Sequence, residues 1–319
     1  GIFVMHVDDF LWGGSIEFES SVIEEIKKEF KIGSQEAGAF KYVGLDIQQT
    51  NDGIVLGQSS YLETVENIPI ERGKYEDGDT VNKNDSDNLR TLVGQLNWLG
   101  SQTRPDCSFD VLELSTSLKH PLREDMFRAN KTLKKLKLEE SSILFLDLGD
   151  PKLMKLVVFS DASHANLPDG YSSAGGYIIF LVGNNKRSCP LAWEAKKIRR
   201  VVKSTLAAET LALVEAVDMA YYLGRILTEI LYRNKSSCNI PIECFIDNKS
   251  LWENAHSTKG VSERRLRIDI AAIKEMLERK EISAIKWVET SHQLSDCFTK
   301  KGVHVRKLLE ILKSGNLYS

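Results

Sequence analysis

The sequence predicts an α/β fold in which a mixed five-stranded sheet with flanking helices fills the second half of the chain. Three observations predict it. Behind Gly149-Asp150-Pro151 come three apolar, β-prone runs in succession, Leu156–Ser160, Ala174–Leu181 and Leu191–Glu194, which read as three consecutive strands. Two more such runs, Ile242–Ile246 and Ile282–Val288, alternate with segments of helical period, the pattern of parallel strands joined by helices. Those segments carry apolar residues three and four apart, as in Leu266, Ile270, Ile273 and Leu277, so each has one face for the sheet.

Ahead of the sheet, Ile2–Val7 and Phe10–Trp12 flank Asp8-Asp9 and predict a hairpin with two carboxylates at its tip. From Ile16 to Phe30, Val22, Ile23, Ile26 and Phe30 fall at helical spacing. Tyr42–Gln49 and Ile54–Gln58 flank Asn51-Asp52-Gly53, residues that suit the turn of a second hairpin. Glu71–Asp87 is dense in Asp, Asn, Gly and Lys and predicts a loop. Leu89–Gly100, Cys107–Lys119 and Arg123–Lys137 predict helices. Arg104-Pro105 and His120-Pro121 separate them, because proline disfavours helical backbone in the residue before it. In the second half a long helix is expected over Ser204–Ile230, a short one from Asn248, another near Ser262–Arg279 and a last helical segment from Gln293. Two domains suit a chain of 319 residues, and the border falls near residue 150, dividing it into 1–147 and 148–319.

Lysine and arginine total 42 against 45 acids, a net charge of −3, so any nucleic-acid footprint must be local. No apolar run reaches the length of a membrane-spanning helix, and no membrane partner is expected. The 5 cysteines, Cys107, Cys189, Cys238, Cys244 and Cys297, are odd in number and lack a CxxC pair. That argues against a disulfide frame or a zinc site and predicts the reduced thiols of an intracellular protein. Gly1 leads straight into a strand-like run, which suggests a fragment beginning inside a domain.

The chemistry-bearing residues of the second half are acids. Asp161 closes the first strand of the sheet, Asp247 closes the fourth, Glu209 lies early in the long helix, and Asp296 lies in the last helical segment. Taken singly, each is most simply a surface or turn residue. Together, strands that stop on Asp deliver carboxylates to one sheet edge, and helices lying on the sheet add the others. Such carboxylates resist ionising together unless divalent cations neutralise them, and an all-oxygen donor set suits Mg²⁺ or Mn²⁺. Two such ions about 3.5–4 Å apart activate water against a phosphodiester and stabilise the leaving oxygen, with no side-chain nucleophile.

A basic run precedes the helix that carries Glu209. Lys186, Arg187, Lys196, Lys197, Arg199, Arg200 and Lys203 stand there with a single acid, Glu194. Lys196, Lys197, Arg199, Arg200 and Lys203 are the expected phosphate contacts, and Ser204 and Thr205 at a helix start add a second phosphate site. A charge run is as often a solvated face. Beside a carboxylate cluster it gains meaning, because metal-assisted cutting needs the backbone held in place. Trp193 reads as core before stacking platform.

Asp161 and Ser163, then Ser204-Thr205 with Ala208-Glu209, then Asp247-Asn248, then Thr290, Gln293, Leu294, Asp296, Phe298, Thr299 and Lys300 stand in a telling order. They resemble the successive motifs of the RNase H domain of Ty1/copia-type retrotransposon polyproteins. The acid order Asp, Glu, Asp, Asp differs from integrase-like relatives of that fold, whose set ends in Glu. Thr210 stands where the family usually has Tyr, and Arg267 where it usually has His. The resemblance implies an RNase H-like fold and hydrolysis of the RNA strand of RNA–DNA hybrids. It also implies two Mg²⁺ ions, replaceable by Mn²⁺, on Asp161, Glu209, Asp247 and Asp296, and nucleic-acid contacts at Ser163 and Asn248. Hybrids are recognised by groove shape and 2′-hydroxyls, without base sequence.

The first half carries its own likeness. His6-Val7-Asp8-Asp9 resembles the Tyr-x-Asp-Asp hairpin of reverse transcriptases, with His6 in place of Tyr or Phe. Phe40–Ile47, Asp52-Gly53-Ile54, Gln58–Leu62, Leu92–Leu99 and Thr103–Asp106 resemble the copia lines in the same order. This implies that residues 1–147 are the last part of a reverse-transcriptase palm with thumb and connection. Asp8 and Asp9 would then be half of a metal site whose other acid, with the fingers, belongs upstream. Half a ligand set predicts no DNA synthesis by this chain alone. The expected partners are RNA–DNA hybrid and the rest of the Pol polyprotein, in the cytoplasm or a virus-like particle.

Two other functions compete: an inactive or co-opted remnant that binds nucleic acid or a partner without cutting, and a transposase-like DNA nuclease. Among the histidines, His120, His164, His256 and His304 have no partners at metal-ligand spacing. His292, four residues before Asp296, is a candidate for proton transfer or product release, ranked below a structural role.

Overall fold

The structure, a computed structural model, describes residues 1–71, 73, 76, 78–232, 239–258 and 263–317, so Cys238 and Ser262 lie outside it. The chain opens on an antiparallel hairpin, β1 (Ile2–His6) and β2 (Asp9–Gly13), that turns through Val7 at φ 55°. Asp8 lies in that turn and Asp9 begins β2. The expected amphipathic helix follows as α1 (Ile16–Phe18), a π-helical turn at Glu19–Ile23, and α2 (Glu24–Glu29).

A second, four-stranded sheet joins β3 (Ala39–Tyr42), β4 (Leu45–Gln49), β5 (Gly53–Gly57) and, from much later in the chain, β6 (Ile143–Leu146). The strands β3 and β6 are additions to the expected elements. Each has only 4 residues, too few to print an alternation in the sequence, and β6 exists by pairing with β5. Then come α3 (Ser59–Thr64), α4 (Lys83–Gln102), α5 (Ser108–Ser117) and α6 (Arg123–Leu138). The helix α4 starts inside the stretch read as loop, because the Asn82 side chain accepts the Asp85 N–H at 2.9 Å and caps it. Leu89, Leu92, Leu96 and Leu99 of α4 meet Val111, Leu114, Met126 and Leu133 in one core.

The second half holds the predicted mixed sheet. β7 (Lys155–Ser163), β8 (Ala174–Val182) and β9 (Ser188–Lys197) run antiparallel, and α7 (Thr205–Tyr232) follows. β10 (Ile242–Ile246) pairs parallel with β7, and after α8 (Lys249–His256) and α9 (Arg267–Glu278), β11 (Ala284–Trp287) pairs parallel with β10. The strand order is β11-β10-β7-β8-β9. A 3₁₀ turn at Leu294–Phe298 and α10 (Val305–Ser314) complete the unit. β9 is longer than its apolar run because it absorbs Pro190 at an irregularity opposite Ile179/Phe180, where a missing N–H is tolerated. β7 is buried on both faces. Leu156 and Val158 face α7 with Leu213, Ala216 and Ala220, while Val157 and Phe159 face Phe298, Leu308 and Ile311.

The halves meet along β9. Phe109 and Leu112 of α5 pack on Leu167 and Ala174, and the Trp193 indole N–H donates to the Gly100 carbonyl at 2.7 Å. Trp193 is a packing residue, as expected. Among the described residues no helix is long and apolar enough to cross a membrane.

Candidate metal centre and nucleic-acid face

One oxygen each of Asp161, Asp247 and Asp296 lies within 4.8 Å of the others. Strand register explains the first two. Phe159 of β7 lies opposite Phe245 of the parallel β10, and the two aspartates follow at the same remove, so they reach one edge together. Asp161 does not close its strand, however. β7 continues to Ser163 because β8 pairs with it to the end, and Asp161 lies opposite Gly176.

Asp296 is carried in by the 3₁₀ turn. Gln293, buried, donates from Nε2 to the Ser160 carbonyl at 3.0 Å, and the Thr299 hydroxyl donates to Asp161 Oδ2, so the turn is tied to β7 on both sides of Asp296. Gly176 allows the approach: a Cβ there would lie 2.3 Å from the Cβ of Phe298.

Glu209, in the first turns of α7, is buried beside this group. Burial first, then Asp161, Asp247 and Asp296, push its carboxyl well above the ordinary range. Asp161 is pushed up to about 7, by burial first and with Asp296 and Asp247 adding, against the pull of Lys300 and Thr299. Asp161 Oδ1 and Glu209 Oε2 are buried without a hydrogen-bond partner. Orphaned carboxylate oxygens of this kind are what a bound cation satisfies, and the all-oxygen donor set fits a hard divalent ion.

Several neighbours were not assigned roles from sequence. Lys300 places Nζ 2.7 Å from Asp296 Oδ1 and 3.4 Å from Asp161 Oδ2. Burial works against its charge, but Asp161 and Asp296 outweigh that and hold the ammonium well above the usual lysine range. The Thr290 hydroxyl donates to Asp247 Oδ2 at 2.8 Å. His304 Nε2 lies 3.7 Å from Asp296 Oδ2, whereas His292 Nδ1 meets the Ser291 hydroxyl at 3.0 Å. The histidine beside the acid is therefore His304, delivered by the chain reversal before α10. In the sequence Lys300 was one letter of the closing motif with no role of its own, and His304 carried no signal.

The basic run is narrower than expected. Lys196 and Lys197 belong to β9; Lys196 pairs with Glu215 at 2.5 Å and Glu194 at 3.2 Å, and Lys197 with Asp169 at 2.8 Å. Arg200 pairs with Asp269 at 2.5 Å. Arg199 and Lys203 are exposed and have no acid partner among the described residues. Lys196, Lys197, Arg199 and Arg200 line a cavity of about 230 Å³ whose wall includes Gly175 and Gly176, on the strand that pairs with Asp161.

Ser204 lies at the start of α7. Its hydroxyl accepts the Ala207 N–H at 3.1 Å and donates to Glu263 at 2.9 Å, so it caps α7 and is already committed. Thr205 is exposed at the helix start, and Ser163 is half-buried at the end of β7. The Asn248 side chain accepts the Leu251 N–H at 2.9 Å and caps α8. Asp8 and Asp9 are exposed on the hairpin, and no third acid joins them at ligating distance among the described residues. Cys107, Cys189, Cys244 and Cys297 are buried free thiols.

No family model matches the chain. The Pol polyprotein of the Arabidopsis thaliana transposon RE1 is 24% identical over 313 residues, covering 93% of this chain and 20% of that protein. A putative transposon Ty5-1 protein of Saccharomyces cerevisiae is 28% identical over 213 residues, 62% of this chain and 66% of that protein. The chain thus spans about one fifth of the RE1 polyprotein and under two thirds of the Ty5-1 protein. RNase H1 of Halobacterium salinarum superposes with a TM-score of 0.34 at 18% identity, over 46% of this chain and 94% of that one. Polyproteins of this kind are matched in sequence along both halves, so that the chain, with the five-stranded sheet described above, is similar to the Ty1/copia-type retrotransposon Pol polyproteins and has an RNase H-like fold in its second half.

Proposed function

We propose that residues 148–319 form an RNase H domain that hydrolyses the RNA strand of RNA–DNA hybrids, and that residues 1–147 are the end of a reverse transcriptase with no DNA synthesis of its own. Asp161, Glu209, Asp247 and Asp296 would hold two Mg²⁺ ions, with Mn²⁺ able to substitute. The observation that carries this reading is the pair of buried, partnerless oxygens on Asp161 and Glu209 beside the grouped oxygens of Asp161, Asp247 and Asp296. When bound, such ions supply an activated water and a counter-charge for the leaving oxygen.

The chain's own side chains do the rest. Thr299 and Thr290 fix the rotamers of Asp161 and Asp247, so those acids present defined oxygens. Arg199 and Lys203, without acid partners among the described residues, attract the phosphate backbone without reading bases, and Thr205, Ser163 and Asn248 are the further proposed contacts. Cytoplasm or a virus-like particle, with the remainder of the polyprotein as partner, belongs to the same proposal.

The test is Mg²⁺-dependent cleavage of a labelled RNA–DNA hybrid by the full chain and by Asp161→Asn. Outer partners of a metal alone are worth about 10–100-fold, so loss of a ligand is expected to exceed 100-fold. Hybrid bound but uncut by both proteins would favour a co-opted binding remnant. Cutting of duplex DNA in place of hybrid would favour a transposase-like nuclease.

A further inference from the structure

We infer that Lys300 is a built-in counter-ion of the acidic cluster, with which a divalent cation must compete for Asp161 and Asp296, so that this lysine sets how tightly one side of the site holds metal. The inference rests on the proposed metal-binding role of these acids. Asp161 and Asp296 have side chains only 1% exposed, and Lys300 is the cation within 3.4 Å of both. Buried carboxylates need a partner, and this ammonium serves two of them at once. The other groups facing them are weaker: Thr299 is neutral, and His304 stands at 3.7 Å from Asp296.

The placement is built into the backbone. The Lys300 N–H donates to the Asp296 carbonyl at 2.8 Å, one turn on, so the lysine stem starts beside the acid it serves. The next residue, Lys301, is drawn the other way, to 3.7 Å from Glu113 of α5. Lys300 is 36% exposed, so its flexible stem has solvent to swing into when displaced.

The contacts are also lopsided. Lys300 covers Asp296 Oδ1 and Asp161 Oδ2, whereas the oxygens left without partners are Asp161 Oδ1 and Glu209 Oε2. A cation on the Glu209 side meets no ammonium in contact with its oxygens. One on the Asp296 side meets an ammonium that has to leave. Two ions therefore bind with unequal affinity, and the inequality traces to one side chain.

Calorimetric titration of the full chain with Mn²⁺ alone, without nucleic acid, tests this. Two events of unequal affinity are expected for the wild type. Lys300→Gln should tighten the weaker by about tenfold or more and lower the melting temperature in chelator. Lys300→Arg, which keeps the charge and grips carboxylates through two donors, carries the test if the glutamine variant does not fold. It should leave the weaker event as weak as in the wild type, or weaker. Unchanged or weaker Mn²⁺ binding by a folded Lys300→Gln variant, or tighter binding by Lys300→Arg, overturns the inference while leaving the metal site standing. Absence of Mn²⁺ binding in both wild type and Lys300→Gln overturns the metal site and the inference together.

Discussion

Gly176→Ala is the substitution that most directly probes how the acids are held together. Gly176 lies opposite Asp161 in the ladder, and a Cβ on it would stand 2.3 Å from the Cβ of Phe298. Carbon atoms rest about 3.5–4.0 Å apart, so roughly 1.2 Å or more has to be found. Phe298 is fully buried, and the Glu194 carbonyl at 3.2 Å and Thr299 Cγ2 at 3.3 Å close the other directions. The 3₁₀ turn must lift from the sheet. Overpacking of this kind costs about 1–3 kcal/mol. In a chain of this size that is a melting temperature lower by roughly 2–6 °C. Asp296 rides on the same turn, so Mn²⁺ affinity should fall as well, by about 10–100-fold, the effect of disturbing a ligand's support. Thermal melting in chelator and Mn²⁺ titration read the two effects separately. Gly175→Ala is the control. Its Cβ would meet Ile198 Cγ1 at 3.2 Å and Ala212 Cβ at 3.5 Å, so the isoleucine side chain has to shift only slightly, and less than about 1 kcal/mol is expected. If Gly176→Ala melts and binds Mn²⁺ like Gly175→Ala, the spacing of the acids does not depend on this close approach.

Two further predictions concern charge. Asp161 and Glu209 have carboxyls raised above their unfolded values, so the stability they contribute is present below about pH 4 and is lost as pH rises through about 7 and beyond. Metal-free protein should therefore melt progressively lower from pH 5 to pH 8 relative to Asp161→Asn, with Mg²⁺ restoring more at pH 8 than at pH 5; a wild-type trend no steeper than that of the variant would count against it. Replacing Arg199 and Lys203 together with serine should weaken hybrid binding and flatten its dependence on salt by about one unit of log–log slope per lost phosphate contact, while Lys197→Gln, whose ammonium is held by Asp169, should do less. Equal effects would place the hybrid elsewhere.

What the sequence made legible was whatever is written locally. Asp161 and Asp247 could be paired because each follows an apolar strand run, and the five strands because the runs are long and buried. What stayed hidden depends on partners far along the chain. Arg200 looked available, but Asp269 from α9 holds it. Ser204 looked like a phosphate donor, but Glu263 and the first turn of α7 take its hydroxyl. β6 is invisible without β5, and His304 reaches Asp296 only through a chain reversal with φ of 54° at His304 itself. Lys300 was visible as a letter in a motif; its place between two acids is a property of the folded turn.

β9 is the outermost strand of the five, and β6 and α5 from the first half lie against it. An uncovered outer strand offers its peptide groups as a template for other chains, and natural sheets shield such borders with a helix or loop. Helix α5 therefore gives the first half a protective task that requires nothing of Asp8 and Asp9. Whatever else the first half does, it keeps the neighbouring sheet from recruiting strangers, a constraint that ties the two halves together.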